Sequence, residues 1–453
     1  MPAVSVIVPV FDPGERIGRC VDSLLAQTLR DVELIFVDDG STDSTPAALD
    51  ALAARHPRVR VEHLPHSGWP GRPRNAGVDL ARGDHVFFAD DDDWLEPDAL
   101  ERLHATALAD DADIVVGKVV GHGRSSARRL FAEDLHGVRF ADHALRLLEL
   151  PTVHKLFRRT FLERHRLRFP EGPRRLEDHA FVVAAYFRAE RISVLADPPA
   201  YHWVFHDRVH NISYRPVDAG YFASVGEVLD LVERETPPGA LRDRLRAHWY
   251  RDNMLAWLTG ARLLNRGAHR QEEVFTAIRE LALARFGPEV HAHLPFALRV
   301  RSRLLRRGSL DALRALARFE AGLAARVRWR DEQVSARLAG VEFTPSGHWV
   351  PPAALRGALS DSDLDAGAAE LRGSRIGLHV ARGPLEYEVR ASTRVRLPRA
   401  GRGAPALSAR AGERLPAGDW TLVATVDVAG FRATAEVARL GDLARGRRTP
   451  ANR

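Results

Sequence analysis

The chain has 453 residues, 45% of them hydrophobic and 28% charged, with a net charge of +6. This length allows roughly two to four domains, each with ample core. Cys20 is the only cysteine, which excludes an intrachain disulfide and fits a reducing compartment. No basic segment precedes the first apolar run, and no apolar run is long enough to span a bilayer. We therefore expect a cytoplasmic protein, with peripheral contact at the inner face of the membrane as an option. The positive net charge suits a polyanionic partner.

Strands and helices alternate from the N-terminus to about residue 120. Apolar runs predict strands at 4–10, 32–37, 59–64 and 86–89, and helical periodicity or helix-start signals lie between them. This alternation predicts an α/β fold with a parallel sheet. A dinucleotide-binding dehydrogenase would alternate in the same way, but its glycine fingerprint should follow the first strand, where this chain reads Phe11-Asp12-Pro13-Gly14. We therefore set the dehydrogenase interpretation aside.

Four consecutive aspartates, Asp90–Asp93, follow the strand predicted at 86–89. A buried parallel strand that stops there presents them at the carboxyl edge of the sheet, where open α/β folds bind ligands. Side chains alternate along an extended chain, so Asp90 and Asp92 can point to one side. Such a cluster favours a bound cation, and hard oxygen ligands suit Mg²⁺ or Mn²⁺ better than zinc. The alternative is an acidic turn before the helix start at 96–98.

Two other strand ends and one loop carry groups that suit a nucleotide. Pro9, Val10 and Phe11 can form a floor under a base, and Asp39 can accept a hydrogen bond from the N–H of a uracil edge. The glycine- and arginine-containing loop before the helix at 74–81 can approach a diphosphate, with Arg74 as a charged donor. A solvated surface loop is the alternative. Together these positions favour a site for one nucleoside diphosphate and a metal ion.

The segments 6–11, 37–43, 74–77 and 88–94 resemble, in order and spacing, the successive motifs of family 2 glycosyltransferases with the GT-A fold. The resemblance implies a sugar-nucleotide-dependent transferase in which Asp39 contacts uracil, Asp90 contacts the nucleotide sugar and Asp92 binds the metal. Asp91 stands where that family commonly has a small residue. We group Asp91 with the nucleotide-sugar contacts, but the division of roles within the run stays open.

The segment from 120 to 215 is predicted to supply the catalytic base. A helical pattern starts at Glu177-Asp178, where a helix N-terminus favours acidic residues whatever their role. The family resemblance implies that Asp178 deprotonates the acceptor hydroxyl, and a helix cap is the alternative.

The same resemblance implies a late histidine that closes the metal and diphosphate site. His210 is the candidate, His206 is the runner-up, and an ordinary surface histidine is the alternative. Arg208 or Lys155 could neutralise the departing diphosphate.

The second half of the chain carries no catalytic motif. Helical periodicity covers 216–338, including an arginine-rich helix at 299–307 that we interpret as a solvated face or as a surface for an anionic polymer or lipid headgroups. Short alternating strands, including 385–395 and 420–428, predict a small Ig-like β-sandwich over 339–440, followed by a disordered tail at 441–453. The predicted architecture is a GT-A nucleotide-diphospho-sugar transferase core at 1–215, a helical linker domain and a β-sandwich.

This architecture resembles the wall teichoic acid poly(ribitol-phosphate) N-acetylglucosaminyltransferases. The resemblance implies an inverting, metal-dependent enzyme that moves GlcNAc from UDP-GlcNAc onto a hydroxyl of an anionic cell-wall glycopolymer, with Mn²⁺ or Mg²⁺ and no nucleic acid. It also implies a homotrimer formed through the C-terminal domain. The alternatives are a capsule or exopolysaccharide transferase that uses another UDP-hexose, and a non-catalytic glycan-binding scaffold.

Overall fold

The computed structural model describes residues 1–122, 127, 129–205, 216–330, 333–344, 346–382, 385–389, 391–397, 403–412, 415 and 420–440. The chain divides into two compact units, one formed by residues 1–216 and 223–245 and the other by residues 217–222 and 246–453. Within the described ranges, no helix combines the length and the apolar character needed to cross a membrane.

The first unit is built on a mixed β-sheet. Its strands are β1 (Val4–Val10), β2 (Val32–Asp38), β3 (Val59–His63), β4 (His85–Phe88), β5 (Trp94–Leu95), β6 (Ile114–Gly117), β7 (Val119–His122), β8 (Leu135–Val138), β9 (Leu156–Arg158), β10 (Ile192–Leu195) and β11 (Tyr201–Val204). Eight of them form one sheet in the order β3-β2-β1-β4-β9-β6-β10-β8, and β5, β11 and β7 form a small second sheet.

The predicted parallel core is confirmed. Strand β1 pairs in parallel with β2 on one side and β4 on the other, so the carboxyl ends of these three strands meet at one edge. Every residue of β1 and β2 is buried, as expected for strands covered on both faces. Strands β9 and β8 run antiparallel to their neighbours and make the sheet mixed.

Helices connect these strands. They are α1 (Ile17–Leu25), α2 (Thr45–Arg55), α3 (Gly71–Leu80), α4 (Ala99–Ala109), α5 (Phe140–Leu147), α6 (Arg159–Arg164) and α7 (Glu177–Arg188). Helix α3 packs closely on β1, because a Cβ atom at Gly77 would lie 2.3 Å from Cγ2 of Ile7. Glycine at this position therefore lets the helix reach the sheet.

The second half of the chain begins with helices. They are α8 (Ala219–Glu235), α9 (Ala240–Asn253), α10 (Gly260–Leu264), α11 (Ala268–Arg285), α12 (Pro288–His291), α13 (Phe296–Arg306) and α14 (Leu310–Ala321). A short helix, α15 (Ala368–Arg372), lies further along the chain.

The arginines of α13 are engaged inside the second unit, which corrects their interpretation as a free basic surface. Arg299 pairs with Glu370 at 2.7 Å, and Arg303 and Arg307 pair with Asp363 at 3.1 and 2.6 Å. The remaining arginines of the run also have partners: Arg301 pairs with Glu320, and Arg306 donates to the carbonyls of Ala282 and Phe286. The arginines of this run therefore serve as donors to acidic residues and backbone carbonyls of the same unit.

Two antiparallel sheets follow, which confirms a β-rich C-terminal region. The strands are β12 (Ala324–Arg330), β13 (Gln333–Ala339), β14 (Arg375–Arg382), β15 (Leu385–Val389), β16 (Ala391–Arg396), β17 (Ala406–Ala411), β18 (Thr421–Val428) and β19 (Phe431–Arg439). The sheets have the orders β12-β13-β17-β16 and β15-β14-β18-β19.

Two predictions for this region need correction. The β region begins at Ala324, before the predicted boundary at 339, because β13 pairs with both β12 and β17. The segment predicted as one strand over 385–395 is two strands, β15 and β16, in different sheets. Ala429 and Gly430 form the turn that joins β18 and β19, and both have positive φ, as tight hairpins require.

Candidate active site

The predicted ligand edge of the sheet collects residues from three strand ends. Phe11 follows β1, Asp39 follows β2, and the run Asp90–Asp93 begins just beyond β4. Pro9 and Val10 are buried within β1, whereas Phe11 is 43% exposed and therefore open to a ligand. The parallel register brings these positions to one side of the unit.

Asp39 organises the loop that follows β3. Its carboxylate accepts hydrogen bonds from the amides of Ser67 and Gly68 at 3.1 Å and from Oγ of Ser67 at 2.7 Å. The ring of His66 in the same loop stacks on Phe11 with centroids 4.1 Å apart, and its Nδ1 lies 2.8 Å from the carbonyl oxygen of Asp39. The two residues predicted to hold a uracil base are therefore neighbours joined by His66.

Arg74 lies in α3 and bridges two acidic segments. It is 5% exposed, its Nη2 donates to Oδ1 of Asp90 at 2.9 Å, and its Nη1 donates to Oε1 of Glu177 at 3.0 Å. Glu177 also accepts a bond from Nε1 of Trp69 at 2.9 Å. One guanidinium group thus joins the aspartate run after β4 to the start of α7.

Close backbone packing fixes the position of α3. The side chain of Asn75 donates to the carbonyl of Phe169 at 3.0 Å and accepts from the amide of Phe169 at 2.9 Å. A Cβ atom at Gly71 would lie 2.4 Å from the carbonyl oxygen of Pro170, so only glycine allows this approach. These contacts explain why Arg74 is presented to both carboxylates without freedom to turn away.

Asp90, Asp93 and His154 form a cluster of potential metal ligands. Their carboxylate oxygens and a ring nitrogen all lie within 4.8 Å of one another, the one such cluster of three or more in the ranges that the structure describes. Nε2 of His154 lies 3.0 Å from Oδ2 of Asp90, and the ring of His154 stacks on Tyr201. Tyr201 Oη donates to Asp93 at 2.7 Å, which fixes that carboxylate from behind.

The charges of this cluster fit a divalent cation. Burial would raise the pKa of Asp90, but His154 and Arg74 outweigh it and hold that pKa well below its usual range. Burial raises the pKa of Asp91 and of Asp93 well above the usual value, and the neighbouring charges of Asp92 and Asp90 add to the effect. The carboxylates of this cluster therefore outnumber the basic side chains close to them. Carboxylate oxygens with one imidazole nitrogen suit a hard divalent ion.

Asp178 is the second residue of α7, and not its N-cap. The N-cap position belongs to Leu176, which has a left-handed φ of 63° and makes no side-chain cap. Oδ1 of Asp178 accepts from the amide of His179 at 2.8 Å, and Oδ2 has no hydrogen-bond partner among the described residues. Burial raises the pKa of Asp178, with Arg74 opposing. The helix start therefore holds Glu177 in the Arg74 bridge and leaves one oxygen of Asp178 available.

Lys155 was considered as a cation for the departing diphosphate, but its position does not suit that role. Its side chain is fully buried, and Nζ donates to the carbonyls of Leu150 and Thr152, so a contact with a diphosphate is not part of this arrangement. His206, Arg208 and His210 lie outside the described residues.

Three residues at the site were missed. His154 directly precedes Lys155, which was considered for the diphosphate, but its local sequence does not indicate that it lies beside the aspartate run. Tyr201 and Trp69 gave no sequence signal, because their contacts at the site are with residues distant in the sequence.

Comparison with known proteins identifies the family of the chain. The family model "Glycosyl transferase family 2" matches residues 5–195, and the model "Glycosyl transferase TarS linker domain" matches residues 218–317. The chain is 31% identical over 249 residues to a poly(ribitol-phosphate) β-glucosyltransferase of Bacillus spizizenii, which covers 54% of this chain but only 39% of that protein.

Two further matches cover a larger share of the matched protein. The chain is 30% identical over 236 residues to the poly(ribitol-phosphate) β-N-acetylglucosaminyltransferase TarP of Staphylococcus aureus, covering 50% of this chain and 71% of TarP. The crystal structure of S. aureus TarS 1–349 in complex with UDP-GlcNAc superposes with a TM-score of 0.63 at 24% identity, covering 74% of this chain and 96% of that one. The TarS likeness shows a shared fold, and the sequence matches show that the chain belongs to glycosyltransferase family 2.

Proposed function

We propose that this protein is an inverting glycosyltransferase that moves a sugar from a UDP-sugar onto a hydroxyl of an anionic cell-wall polymer such as poly(ribitol phosphate). The observation that carries the proposal is the Arg74 bridge, which joins Asp90 to Glu177 and so brings Asp178 to the aspartate run. A donor site and a base from distant parts of the sequence then face one reaction centre.

Asp178 acts as the general base in this proposal. Its free Oδ2 takes the proton from the acceptor hydroxyl while that oxygen attacks the anomeric carbon, and the bond from that carbon to the UDP oxygen breaks. A single in-line displacement inverts the anomeric configuration. Burial, which raises the pKa of Asp178, also makes the carboxylate a better proton acceptor near neutral pH. Glu177 has a positioning role, since both its oxygens accept bonds from neighbouring side chains.

The nucleotide is held at the ends of β1 and β2. Phe11 provides an exposed aromatic face for the base, and Asp39 lies beside it at the edge of the sheet. Asp90 and Asp91 contact the sugar diphosphate in this proposal, and Arg74 balances the charge of Asp90. Positioning of the two reactants contributes much of the rate in such a site.

Asp92, together with Asp90, Asp93 and His154, would hold Mn²⁺ or Mg²⁺. When bound, the ion supplies a Lewis acid that offsets charge on the departing diphosphate. For Asp90, Asp93 and His154 the metal assignment rests on their ligand atoms lying within 4.8 Å of one another. For Asp92, which is not part of that cluster, it rests on the family resemblance.

The names of the relatives guide the choice of substrates. TarP is named for N-acetylglucosamine transfer and the Bacillus spizizenii relative for glucose transfer, both onto poly(ribitol phosphate). We take UDP-GlcNAc as the first donor to test and UDP-glucose as the second. A cytoplasmic location, peripheral contact with the membrane and a trimer formed through the β region belong to the same proposal.

The test compares two aspartate-to-asparagine variants at helix starts. General-base catalysis is typically worth about 10²–10⁴-fold, so Asp178→Asn should lower the transfer rate by that order while UDP-sugar affinity stays close to wild type. Asp142→Asn is the matched control, because Asp142 lies in the first turn of α5 and is exposed. Rates are measured as UDP release with poly(ribitol phosphate) as acceptor.

Near-normal turnover of Asp178→Asn would remove Asp178 from the mechanism and make Glu177 the next residue to test. Absence of turnover by the wild type with every UDP-sugar in a panel would overturn the proposed function itself. Melting temperatures of the same preparations show whether each variant is folded.

A further inference from the structure

The outer face of one sheet in the C-terminal region is covered with arginine. Within the sheet β12-β13-β17-β16, buried residues such as Val334 and Leu407 alternate with residues that point outward. We define the arginine face by the exposed arginines of this sheet: Arg326, Arg328, Arg337, Arg394, Arg396 and Arg410.

Strand register places these arginines in neighbouring rows. Arg326 lies directly opposite Arg337, and Arg394 lies opposite Ser408. Arg410 lies opposite Gln333 on one side and Ser392 on the other. Strands are about 4.8 Å apart and same-face residues about 6.7 Å apart along a strand, so the guanidinium groups and the hydroxyl and amide donors form one continuous surface.

Among the described residues, no acidic side chain neutralises the charge of the arginine face. The sequences of its four strands contain no aspartate or glutamate. None of the six arginines makes an ion pair or a side-chain hydrogen bond with another residue of the described ranges, whereas the arginines of α13 are engaged in such contacts. Two like charges directly across a strand pair destabilise a sheet, so the placement of Arg326 opposite Arg337 is a cost that an anionic partner would remove.

The other sheet of the same region is a contrast. On the outer side of β15-β14-β18-β19, Asp427 pairs with Arg432 at 2.7 Å, and Thr425 meets Thr434 across the strands. Glu436 and Arg439 add one charge of each sign. The basic character therefore belongs to one face and is not a general property of the β region.

The chemistry of the arginine face selects phosphate groups. Guanidinium groups bind phosphate oxygens with two parallel hydrogen bonds, and serine and glutamine add neutral donors. Single-stranded nucleic acid is usually bound with aromatic side chains on which bases stack, and membrane insertion would need exposed aromatic or large aliphatic residues. The outward positions of these four strands, apart from arginine, carry only serine, glutamine and alanine among the described side chains.

We infer that the arginine face is a second, non-catalytic binding surface for a linear polymer with repeating phosphodiester groups. One part of this inference rests on the proposed function: the identification of the bound polymer with the acceptor. Retention of an acceptor on a second surface raises its local concentration and keeps it available for successive transfers.

The experiment measures binding and transfer separately on the full chain. The test variant is Arg337→Gln/Arg394→Gln/Arg410→Gln, and the control variant is Arg375→Gln/Arg432→Gln/Arg439→Gln, which removes the same charge from the other sheet. The probe is fluorescently labelled poly(ribitol phosphate), with titrations at several salt concentrations. Phosphatidylglycerol vesicles are a second probe.

We expect the test variant to bind the polymer at least about tenfold more weakly than the control. The slope of log affinity against log salt should fall by about 2, since each lost phosphate contact contributes roughly 0.7 for a single-stranded polyanion. The KM for long polymer should rise while kcat and UDP affinity stay unchanged. Melting temperatures should match, because the substituted side chains are exposed.

Equal polymer binding by wild type and test variant would overturn the inference, whether or not the protein transfers sugar. Loss of vesicle binding alone would also overturn it and assign the surface to lipid headgroups. Polymer binding through the arginine face by a protein that transfers no sugar would leave the inference standing and reject the proposed function.

Discussion

A buried histidine makes a quantitative prediction about the acid stability of the first unit. His85 lies in β4, beside β1, and is 4% exposed, and neither of its ring nitrogens has a hydrogen-bond partner among the described residues. Burial lowers the pKa of His85 from 6.5 to about 4, with His104 and Arg158 acting in the same direction and Asp84 opposing. The folded protein therefore holds this histidine neutral.

The sign and size of the effect follow from linkage. Because the folded pKa is below the unfolded one, the stabilising contribution is complete above pH 6.5 and is lost as the pH falls towards 4. Each unit of pKa difference corresponds to 1.36 kcal/mol, so acidification from pH 7 to pH 4.5 should cost about 2 kcal/mol from this residue alone. His85→Phe removes the titrating group and keeps an aromatic ring.

Hydrogen-exchange mass spectrometry provides the assay, because it reports the opening free energy of β1 and β4 without assuming that the whole chain unfolds in one step. The difference in opening free energy between pH 7 and pH 4.5 should be about 2 kcal/mol smaller in His85→Phe than in wild type. His269→Phe is the control, since His269 is exposed. Identical pH dependence in wild type and His85→Phe would refute the reasoning.

Three further predictions concern the metal, the packing and the base. Chelation with EDTA should abolish transfer and Mn²⁺ should restore it, while Asp92→Asn should lose turnover and remain folded; full activity after exhaustive chelation contradicts the metal assignment. Gly77→Ala should destabilise the protein by about 1–3 kcal/mol in denaturant titrations, because the new Cβ atom would clash with Ile7. Gly18→Ala is the control: its Cβ would have no atom within 4 Å, so it should be neutral or stabilising. Phe11→Ala should weaken UDP binding, measured by calorimetry, by about 5- to 150-fold, since base–aromatic stacking is worth about 1–3 kcal/mol. Unchanged affinity would reject Phe11 as the floor of the base site.

The elements of the first unit were predictable because local patterns decide them. A fully buried parallel strand is a continuous apolar run, and the observed β1 has the predicted bounds, Val4–Val10. The proline at the first turn of α2 marked the helix at Thr45–Arg55. The carboxyl ends of neighbouring parallel strands meet by geometry, so Phe11, Asp39 and Asp90 could be grouped before any contact was known.

The partners of the site residues could not be predicted, because they depend on distant segments. Nothing local to Arg74 indicates that it joins Asp90 to Glu177, and nothing local to Tyr201 indicates that it fixes Asp93. Lys155 had a suitable charge, but its burial depends on how the chain around it folds back. A sequence gives the chemistry of a side chain, whereas the direction in which that side chain points is a property of the packed structure.

The stack of His66 on Phe11 has a consequence for the kinetics of nucleotide exchange. A base that stacks on the face of Phe11 covered by His66 would take the place of an imidazole ring whose centroid is 4.1 Å away. Binding of the base would replace the stack of His66 on Phe11 by a stack of the base on Phe11. When the base leaves, the imidazole of His66 can stack on Phe11 again. If the protein uses a UDP-sugar as proposed, such a reciprocal exchange would shorten the time for which the product UDP stays bound.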